Sequence, residues 1–217
     1  RETRKMTSIY QCNLQSRCPD LFNLAAYVLE NSHKNPRKNA LEIISKLSNY
    51  SISFEELRSR VLRTGNAFIK LGLNPNDKIL LRLDNTITFP IAYLGAISVG
   101  IIPVPTSSTL TEYELTVIIK SLQPEAIITS KSLSINLGNI QTISEREIKK
   151  LSLEGDEANF ERGDPDRLAY IVFTSGTSNK PRAVLHAHRA IWARRSMHSD
   201  WYALTSNDRL LHSGAFN

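Results

Sequence analysis

The chain has 217 residues, of which 41% are hydrophobic and 22% charged, and its formal net charge is +6 at pH 7. These values are typical of a folded globular protein that buries one large core or two small ones, and they exclude a disordered tail. No run of about 18 apolar residues occurs, so we expect no membrane span, and the polar N-terminus lacks the apolar core of a signal peptide.

The cysteine content indicates a reducing environment. Cys12 and Cys18 are the only two cysteines, too few for a disulfide framework or for a Cys-only zinc site. We therefore expect a cytoplasmic protein. The first methionine is Met6 and the first residue is an arginine, which suggests a fragment of a longer chain.

The positive net charge raises the hypothesis of a nucleic-acid partner. Lysines and arginines are scattered along the chain, and the sequence contains no zinc-finger spacing, RRM-type aromatic motif or basic-region heptad. A solvated basic surface explains the charge as well, and we expect no nucleic-acid partner. The densest basic group is Arg182, Arg189, Arg194 and Arg195.

In chain order, the first strong pattern predicts a helix over residues 53–72. Ser53 and Glu56 form a capping-box pattern at its start, and Gly72 stands where a C-terminal cap belongs. The segments that follow alternate between strand and helix patterns, as in a parallel α/β protein. They are a strand at 78–83, a helix at 89–100 with Pro90 in its first turn, a strand at 101–106 whose prolines favour a strand end or edge, a helix at 111–122 capped by Thr111 and Glu114, and a strand at 125–130.

The pattern of apolar residues is weak between Lys131 and Arg167. A short strand is expected around Ile140 and a charged helix around Glu145, followed by a mobile connection at 155–166. Residues 168–173 form a nearly continuous apolar run, which predicts a strand buried on both faces. A helix at 188–199 and a strand beginning within 208–214 complete the pattern. The predicted fold class is α/β, with a mostly parallel sheet flanked by helices.

The loop that follows residues 168–173 is unusually rich in hydrogen-bond donors. Four hydroxyl side chains surround a glycine that can turn its backbone N–H groups inward, and two cations follow on either side of Pro181. Such a surface is complementary to a polyphosphate. A plain Ser/Thr-rich turn is the alternative interpretation. The donors are Thr174, Ser175, Gly176, Thr177, Ser178, Lys180 and Arg182.

Other phosphate-binding motifs do not fit this loop. The Walker A spacing fails because no Gly-Lys-Ser/Thr follows Gly176, and no G-x-G-x-x-G occurs in the chain. An unrelated NTPase or kinase would need a Walker lysine or a catalytic-loop aspartate, and neither is found.

Residues 173–184 resemble the signature loop of the adenylate-forming superfamily, which includes acyl-CoA synthetases, luciferases and adenylation domains of peptide synthetases. The family pattern is aromatic-Thr-Ser-Gly-Ser/Thr-Thr-Gly-x-Pro-Lys-Gly-Val, and this chain has Phe-Thr-Ser-Gly-Thr-Ser-Asn-Lys-Pro-Arg-Ala-Val. The resemblance extends to residues 51–81 and 81–111, and His188 matches a histidine that commonly opens the helix after the loop. The sequence of residues 180–194 is most similar to that of acyl- and aryl-CoA synthetases of the benzoate-CoA ligase type.

Three positions depart from the family pattern. Asn179 replaces the second glycine, and asparagine is the least costly substitute where a positive φ is needed. Arg182 replaces a lysine, which keeps the charge but changes a point ammonium into a planar fork. Ala183 replaces a glycine and matters least if it begins a strand.

The resemblance implies an enzyme that activates a carboxylic acid with Mg²⁺ and ATP as an acyl-adenylate and then transfers the acyl group to coenzyme A. The acid, the oligomeric state and the choice between CoA and another thiol carrier stay open. The resemblance implies no catalytic residue and no metal ligand within this chain. The residues it assigns to the phosphates are Thr174, Ser175, Gly176, Thr177, Ser178, Asn179, Lys180 and Arg182.

The resemblance also predicts how the chain relates to a whole enzyme. Residues 1–217 would be the front part of the large N-terminal domain, with the rest of that domain and a small C-terminal domain outside the chain. Phe216 and Asn217 would approach the nucleotide and acyl pocket, while the segments for Mg²⁺, ribose and the catalytic lysine would follow them. The alternative is an inactive fragment that binds nucleotide weakly at most.

Two further residue pairs have plainer explanations. His186 and His188 could form a metal pair, but no third ligand is spaced nearby, so a strand-end and a helix-start histidine are expected. Trp192 and Trp201 could line an acyl pocket, although packing in a core or interface is the commoner role of tryptophan. Tyr93 and Leu94 are expected in the core.

Overall fold

The computed structural model describes residues 17–44, 49–131, 137–175, 181–212 and 214. Helices and strands alternate along most of this part of the chain, as predicted. The helices are α1 (Leu24–Val28), α2 (Asn31–Lys34), α3 (Phe54–Lys70), α4 (Thr88–Ser98), α5 (Glu112–Leu122), α6 (Glu145–Leu151) and α7 (Ala190–Asp200). The strands are β1 (Asn39–Ile44), β2 (Asn49–Ser53), β3 (Lys78–Arg82), β4 (Ile102–Pro105), β5 (Ala126–Thr129), β6 (Gln141–Ser144), β7 (Leu168–Ser175) and β8 (Pro181–Ala187).

The parallel sheet at the centre of the fold has the strand order β4-β3-β5-β6. Both faces of the sheet are covered, which explains why residues 79–81 of β3 and 126–128 of β5 are apolar without polar alternation. Ile79 and Leu81 pack with α4 and α6, while Leu80 packs with α5 on the opposite face. The α/β prediction is confirmed, and β4, with its two prolines, is an edge strand of this sheet as expected.

The predicted helix caps are present. The Ser53 side chain accepts a hydrogen bond from the Glu56 N–H, and Thr111 and Glu114 form a complete capping box. Gly72 has φ of +89°, and the hydrogen bonds from its own N–H and from that of Leu73 to the last turn of α3 complete a Schellman motif.

Three predictions about the chain need correction, and four elements were not predicted. Residues 208–212 form no strand. The connection at 155–166 is held against α3 and α4, because the Ala158 N–H donates to the Leu62 carbonyl (3.1 Å) and the Glu161 N–H to the Ser98 carbonyl (2.8 Å). The strand at 168–173 alternates between buried and half-buried side chains, and it pairs antiparallel with β8 instead of joining the parallel sheet. The antiparallel β1–β2 pair and the short helices α1 and α2 were also missed.

Close contact between α3 and α4 depends on two facing glycines. A Cβ on Gly65 would lie 2.7 Å from the Ser98 Oγ and 2.9 Å from the Gly95 carbonyl oxygen. A Cβ on Gly95 would lie 3.1 Å from the Thr64 Cβ. Glycine normally weakens a helix, so its presence at both positions follows from this approach of the two backbones.

We expect Gly65→Ala to destabilise the protein by about 1–3 kcal/mol, since the added methyl overlaps backbone and side-chain atoms of α4. Elsewhere in a helix the same change would stabilise by about 0.5–1 kcal/mol. Urea unfolding measures the difference. Ser59→Ala, in the same helix but beside the open cleft between α2 and α3, is the control and should be nearly neutral. A Gly65→Ala variant as stable as the wild type would contradict the close-packing argument.

Candidate functional site

The two ends of the donor-rich loop predicted from the sequence lie on the paired strands of a β-hairpin. Strands β7 and β8 pair antiparallel, with Thr174 opposite Arg182 and Ser175 opposite Pro181. The Thr174 hydroxyl donates to the Arg182 carbonyl oxygen at 3.4 Å. Directly opposite residues project their side chains on the same face of a sheet, so this register places the first hydroxyl and the last cation of the loop side by side.

The middle of the predicted site lies outside the described residues. This applies to Gly176, Thr177, Ser178, Asn179 and Lys180. Thr174 and Arg182 are both exposed at the two ends of the loop. Their assignment to phosphate binding stays a prediction.

The hairpin lies beside the parallel sheet and does not continue it. β7 runs next to the edge strand β4, and Ile171 packs in the same core cluster as Leu80 and Val104. Thr174 and Ser175 therefore end a strand of this antiparallel pair and not a strand of the parallel sheet. Within the described residues, the hydrogen-bonded parallel sheet ends at β4.

Aromatic stacking joins the hairpin to α4. Tyr170 of β7 stacks on His186 of β8, with ring centroids 4.6 Å apart and planes 11° from parallel. Tyr170 also contacts Tyr93 at 5.7 Å, and Tyr93 stacks on Phe89 at 6.3 Å. Burial raises the pKa of the Tyr93 phenol, so this group stays neutral. The sequence pattern assigned Tyr93 to the core and gave no sign of its contact with the hairpin.

His188 closes the open end of the hairpin. Its backbone N–H donates to the Arg167 carbonyl oxygen (3.1 Å), and its Nδ1 accepts from the Leu24 N–H (3.0 Å). The residue is 1% exposed. Burial, with a smaller contribution from the positive charge of Arg167, lowers the pKa of His188 to about 4. The ring is therefore neutral at physiological pH and carries its proton on Nε2.

The two histidines considered as a possible metal pair have separate partners. His186 stacks on Tyr170, and His188 bonds to Leu24. Among the described residues, no group of three or more His, Cys, Asp or Glu side chains is arranged to hold a metal ion.

The two tryptophans occupy different environments. Trp192 of α7 packs edge-on against Phe22 (5.8 Å) and Tyr27 (5.6 Å), and the Arg195 guanidinium lies 3.8 Å from the centre of its ring. Trp201 is 71% exposed. Packing explains Trp192, as expected, whereas the described part of the chain buries little of Trp201.

A second polar cluster lies at the carboxyl end of the parallel sheet, and the sequence analysis missed it. Asp84, just after β3, accepts from the Ser108 hydroxyl (2.5 Å) and the Ser130 hydroxyl (3.4 Å). The bond from Ser108 contributes most to lowering the pKa of Asp84, with further lowering from Lys131, Ser130 and Arg82 against the opposing effect of burial. The crevice between β3 and β5, where the strand order reverses, is where such sheets commonly hold ligands. A search for polar residues after each predicted strand would have found it.

Comparisons with known proteins agree with the fold. A family described as AMP-binding enzyme matches residues 28–216. The 4-hydroxybenzoate--CoA/benzoate--CoA ligase of Rhodopseudomonas palustris is 29% identical over 64% of this chain and 29% of its own length. Tyrocidine synthase 3 of Brevibacillus parabrevis is 26% identical over 91% of this chain and 3% of its own length.

A solved structure shares the architecture. The benzoate CoA ligase of Burkholderia xenovorans LB400 superposes with a TM-score of 0.75 and 24% identity, over 87% of this chain and 39% of that one. The chain thus spans less than half of the length of each of these relatives. Among the described residues, no helix is both long and apolar enough to cross a bilayer.

The neutral state of His188 predicts a pH dependence of stability. The unfolded chain binds a proton at this residue near pH 6.5, whereas the folded chain does so only near pH 4. Between these values the unfolded state holds more protons, so the contribution of His188 is complete above pH 6.5 and is lost as the pH falls toward 4. The slope approaches about 1.4 kcal/mol per pH unit within the window.

Urea unfolding at several pH values measures this effect against His188→Asn, which keeps an acceptor near the Nδ1 position but does not titrate. The stability difference between wild type and variant should grow with pH. His198→Asn, on the exposed part of α7, is the control, and its stability should change with pH as that of the wild type does. If the free energies of unfolding of the wild type and of His188→Asn changed with pH in the same way, the neutral, buried state of His188 would be contradicted.

Proposed function

We propose that this chain, which belongs to the AMP-binding enzyme family, is the front part of the large N-terminal domain of an enzyme that activates a carboxylic acid with ATP. In the proposed reaction the carboxylate attacks the α-phosphate, which gives an acyl-adenylate and releases pyrophosphate. A thiol then attacks the acyl carbon, which forms a thioester and releases AMP. Within this scheme the chain supplies phosphate binding and no nucleophile.

The observation that carries the proposal is the hairpin register. It holds Thr174 and Arg182 opposite each other at the two ends of the donor-rich turn. A hydroxyl and a guanidinium that share one face can contact neighbouring oxygens of a single phosphate chain. Hydrogen bonds to charged groups contribute about 1.5–3 kcal/mol each, so four or five of them would hold a triphosphate.

Each proposed ligand has a donor suited to phosphate. Thr174, Ser175, Thr177 and Ser178 supply hydroxyls, Gly176 and Asn179 supply backbone N–H groups in the turn, and Lys180 and Arg182 supply positive charge. Mg²⁺ would neutralise part of the phosphate charge, and we propose that the glutamate that helps to hold it follows residue 217. No carboxylate of the loop competes with the nucleotide for these donors.

We propose coenzyme A as the acceptor thiol. The support is the similarity to a protein named as a benzoate and hydroxybenzoate CoA ligase, which also suggests an aromatic acid as substrate. The similarity to a tyrocidine synthase favours a carrier-bound thiol as the second candidate. Incubating a chain that extends past residue 217 with ATP, benzoate and either CoA or a pantetheinylated carrier protein distinguishes the two acceptors.

The phosphate-binding role predicts losses of MgATP affinity. We expect Thr174→Val, Lys180→Ala and Arg182→Gln each to weaken binding about tenfold to a hundredfold, since each removes a charge-assisted hydrogen bond of about 1.5–3 kcal/mol. Titration with a fluorescent ATP analogue measures the affinity of the wild-type chain and its variants.

Matched controls exist on other strands and helices. Thr142→Val replaces an exposed threonine on β6, and Lys120→Ala removes an exposed lysine on α5. Both should bind like the wild type. Equal affinities across the loop variants and the controls would overturn the phosphate-binding proposal.

Because metal and transition-state contacts are proposed to lie after residue 217, we expect the 217-residue chain to release no pyrophosphate with ATP and any acid. A coupled pyrophosphate assay with short, aromatic and long-chain acids tests this. A longer chain should catalyse ATP–pyrophosphate exchange with one class of acid. Turnover by the 217-residue chain would show that the groups needed for chemistry lie within it.

A further inference from the structure

The segment Phe22–Leu29, here called the clasp, crosses the open end of the β7–β8 hairpin. The Phe22 N–H donates to the Gly163 carbonyl oxygen at 2.9 Å, and the Leu24 N–H donates to the Nδ1 of His188 at 3.0 Å. The Arg167 guanidinium, just before β7, donates to the Phe22 carbonyl oxygen at 2.7 Å. The residues immediately before β7 and immediately after β8 therefore both bond to the clasp.

The clasp has a second attachment, to the end of α4. The Nδ2 of Asn23 donates to the Ile97 carbonyl oxygen at 2.9 Å and to the Glu161 carbonyl oxygen at 2.7 Å. Its Oδ1 accepts from the Ala26 N–H at 3.1 Å and caps α1. Asn23 is 1% exposed. These bonds involve neither β7 nor β8, so they fix the clasp independently of the hairpin.

Aromatic packing extends the attachment to the helix that follows the hairpin. Phe22 and Tyr27 of the clasp both meet the ring of Trp192 on α7. The hairpin, the start of α7 and the end of α4 are thus joined through one short segment. β7 makes no hydrogen-bonded ladder with the parallel sheet within the described residues. The hydrogen bonds that anchor the ends of the hairpin therefore come from the clasp and not from the parallel sheet.

The bond from Leu24 to His188 is buried on both sides. Both residues are buried, and an apolar ring in place of the imidazole would leave the Leu24 N–H without an acceptor and without water. The clasp would then dock less often on the open end of the hairpin. Both the clasp and the hairpin would open more often as a result.

We propose that the clasp fixes the hairpin against the end of α4 and the start of α7. His188 is thereby a positioning residue for the proposed phosphate-binding residues between Thr174 and Arg182. The second part rests on the proposed function of those residues. The first part concerns contacts of this chain alone and is tested without nucleotide.

Amide hydrogen exchange on the whole chain tests the first part. In His188→Phe, a replacement of similar size without an acceptor, we expect the amides of β7 and β8 to exchange about tenfold faster. The amides of β5 in the centre of the parallel sheet should keep wild-type rates. His188→Asn restores an acceptor and should return the hairpin to nearly wild-type exchange. His198→Phe, on the exposed part of α7, is the matched control and should leave the hairpin unchanged.

A second variant releases the clasp without touching the hairpin. Asn23→Ala removes the attachment to Ile97 and Glu161, and we expect it to raise exchange in β7 and β8 as well as in the clasp. If both substitutions act by releasing the clasp, their effects are not independent. The increase in β7 and β8 exchange rates in the double variant of Asn23→Ala and His188→Phe should then be smaller than the product of the two single increases. Faster exchange confined to the clasp in Asn23→Ala would overturn the first part, as would an equal rise in β5.

MgATP affinity tests the second part. His188→Phe should weaken MgATP binding by severalfold, and His188→Asn should restore it, because only docked hairpins present the loop correctly. A loosened hairpin with unchanged affinity would overturn the positioning role. If the wild-type chain binds no MgATP, the proposed function of the loop and the positioning role fail together, while the exchange data still decide whether the clasp holds the hairpin.

Discussion

Antiparallel pairing of β7 with β8 is the constraint on which the candidate site depends. The ladder brings Thr174 to Arg182 and leaves five residues between the strand ends. Because opposite residues in a ladder share a face, Thr174 and Arg182 project their side chains on the same side of the hairpin.

The hairpin needs support because it is attached to the parallel sheet by packing. Ile171 packs with Leu80 and Val104, and Tyr170 contacts Tyr93 across the interface with α4. The buried hydrogen bonds of Asn23, Arg167 and His188 add directional contacts to this packing. Burial makes such bonds costly to break, since an unpaired group in the core finds no water to replace its partner.

Family membership accounts for the fold. The named relatives comprise CoA ligases and a tyrocidine synthase. The proposed binding of a phosphate tail suits both kinds of enzyme, because it does not depend on the acid or on the thiol.

Local features were determined by the sequence itself. The Ser53 cap, the Thr111–Glu114 capping box and the positive φ of Gly72 each depend on residues within a few positions, so their patterns are visible in one dimension. The alternation of strand and helix patterns likewise predicted a mostly parallel sheet, and the Thr-Ser-Gly pattern identified the family.

Only the tertiary structure decided which elements meet. The same kind of apolar run at 168–173 became an antiparallel hairpin strand, because periodicity reports burial and not the choice of partner. The facing pair of Gly65 and Gly95 and the bond between Leu24 and His188 join residues far apart in the chain, the latter 164 positions. No local pattern encodes such pairs, since each exists only after the helices and the hairpin have packed.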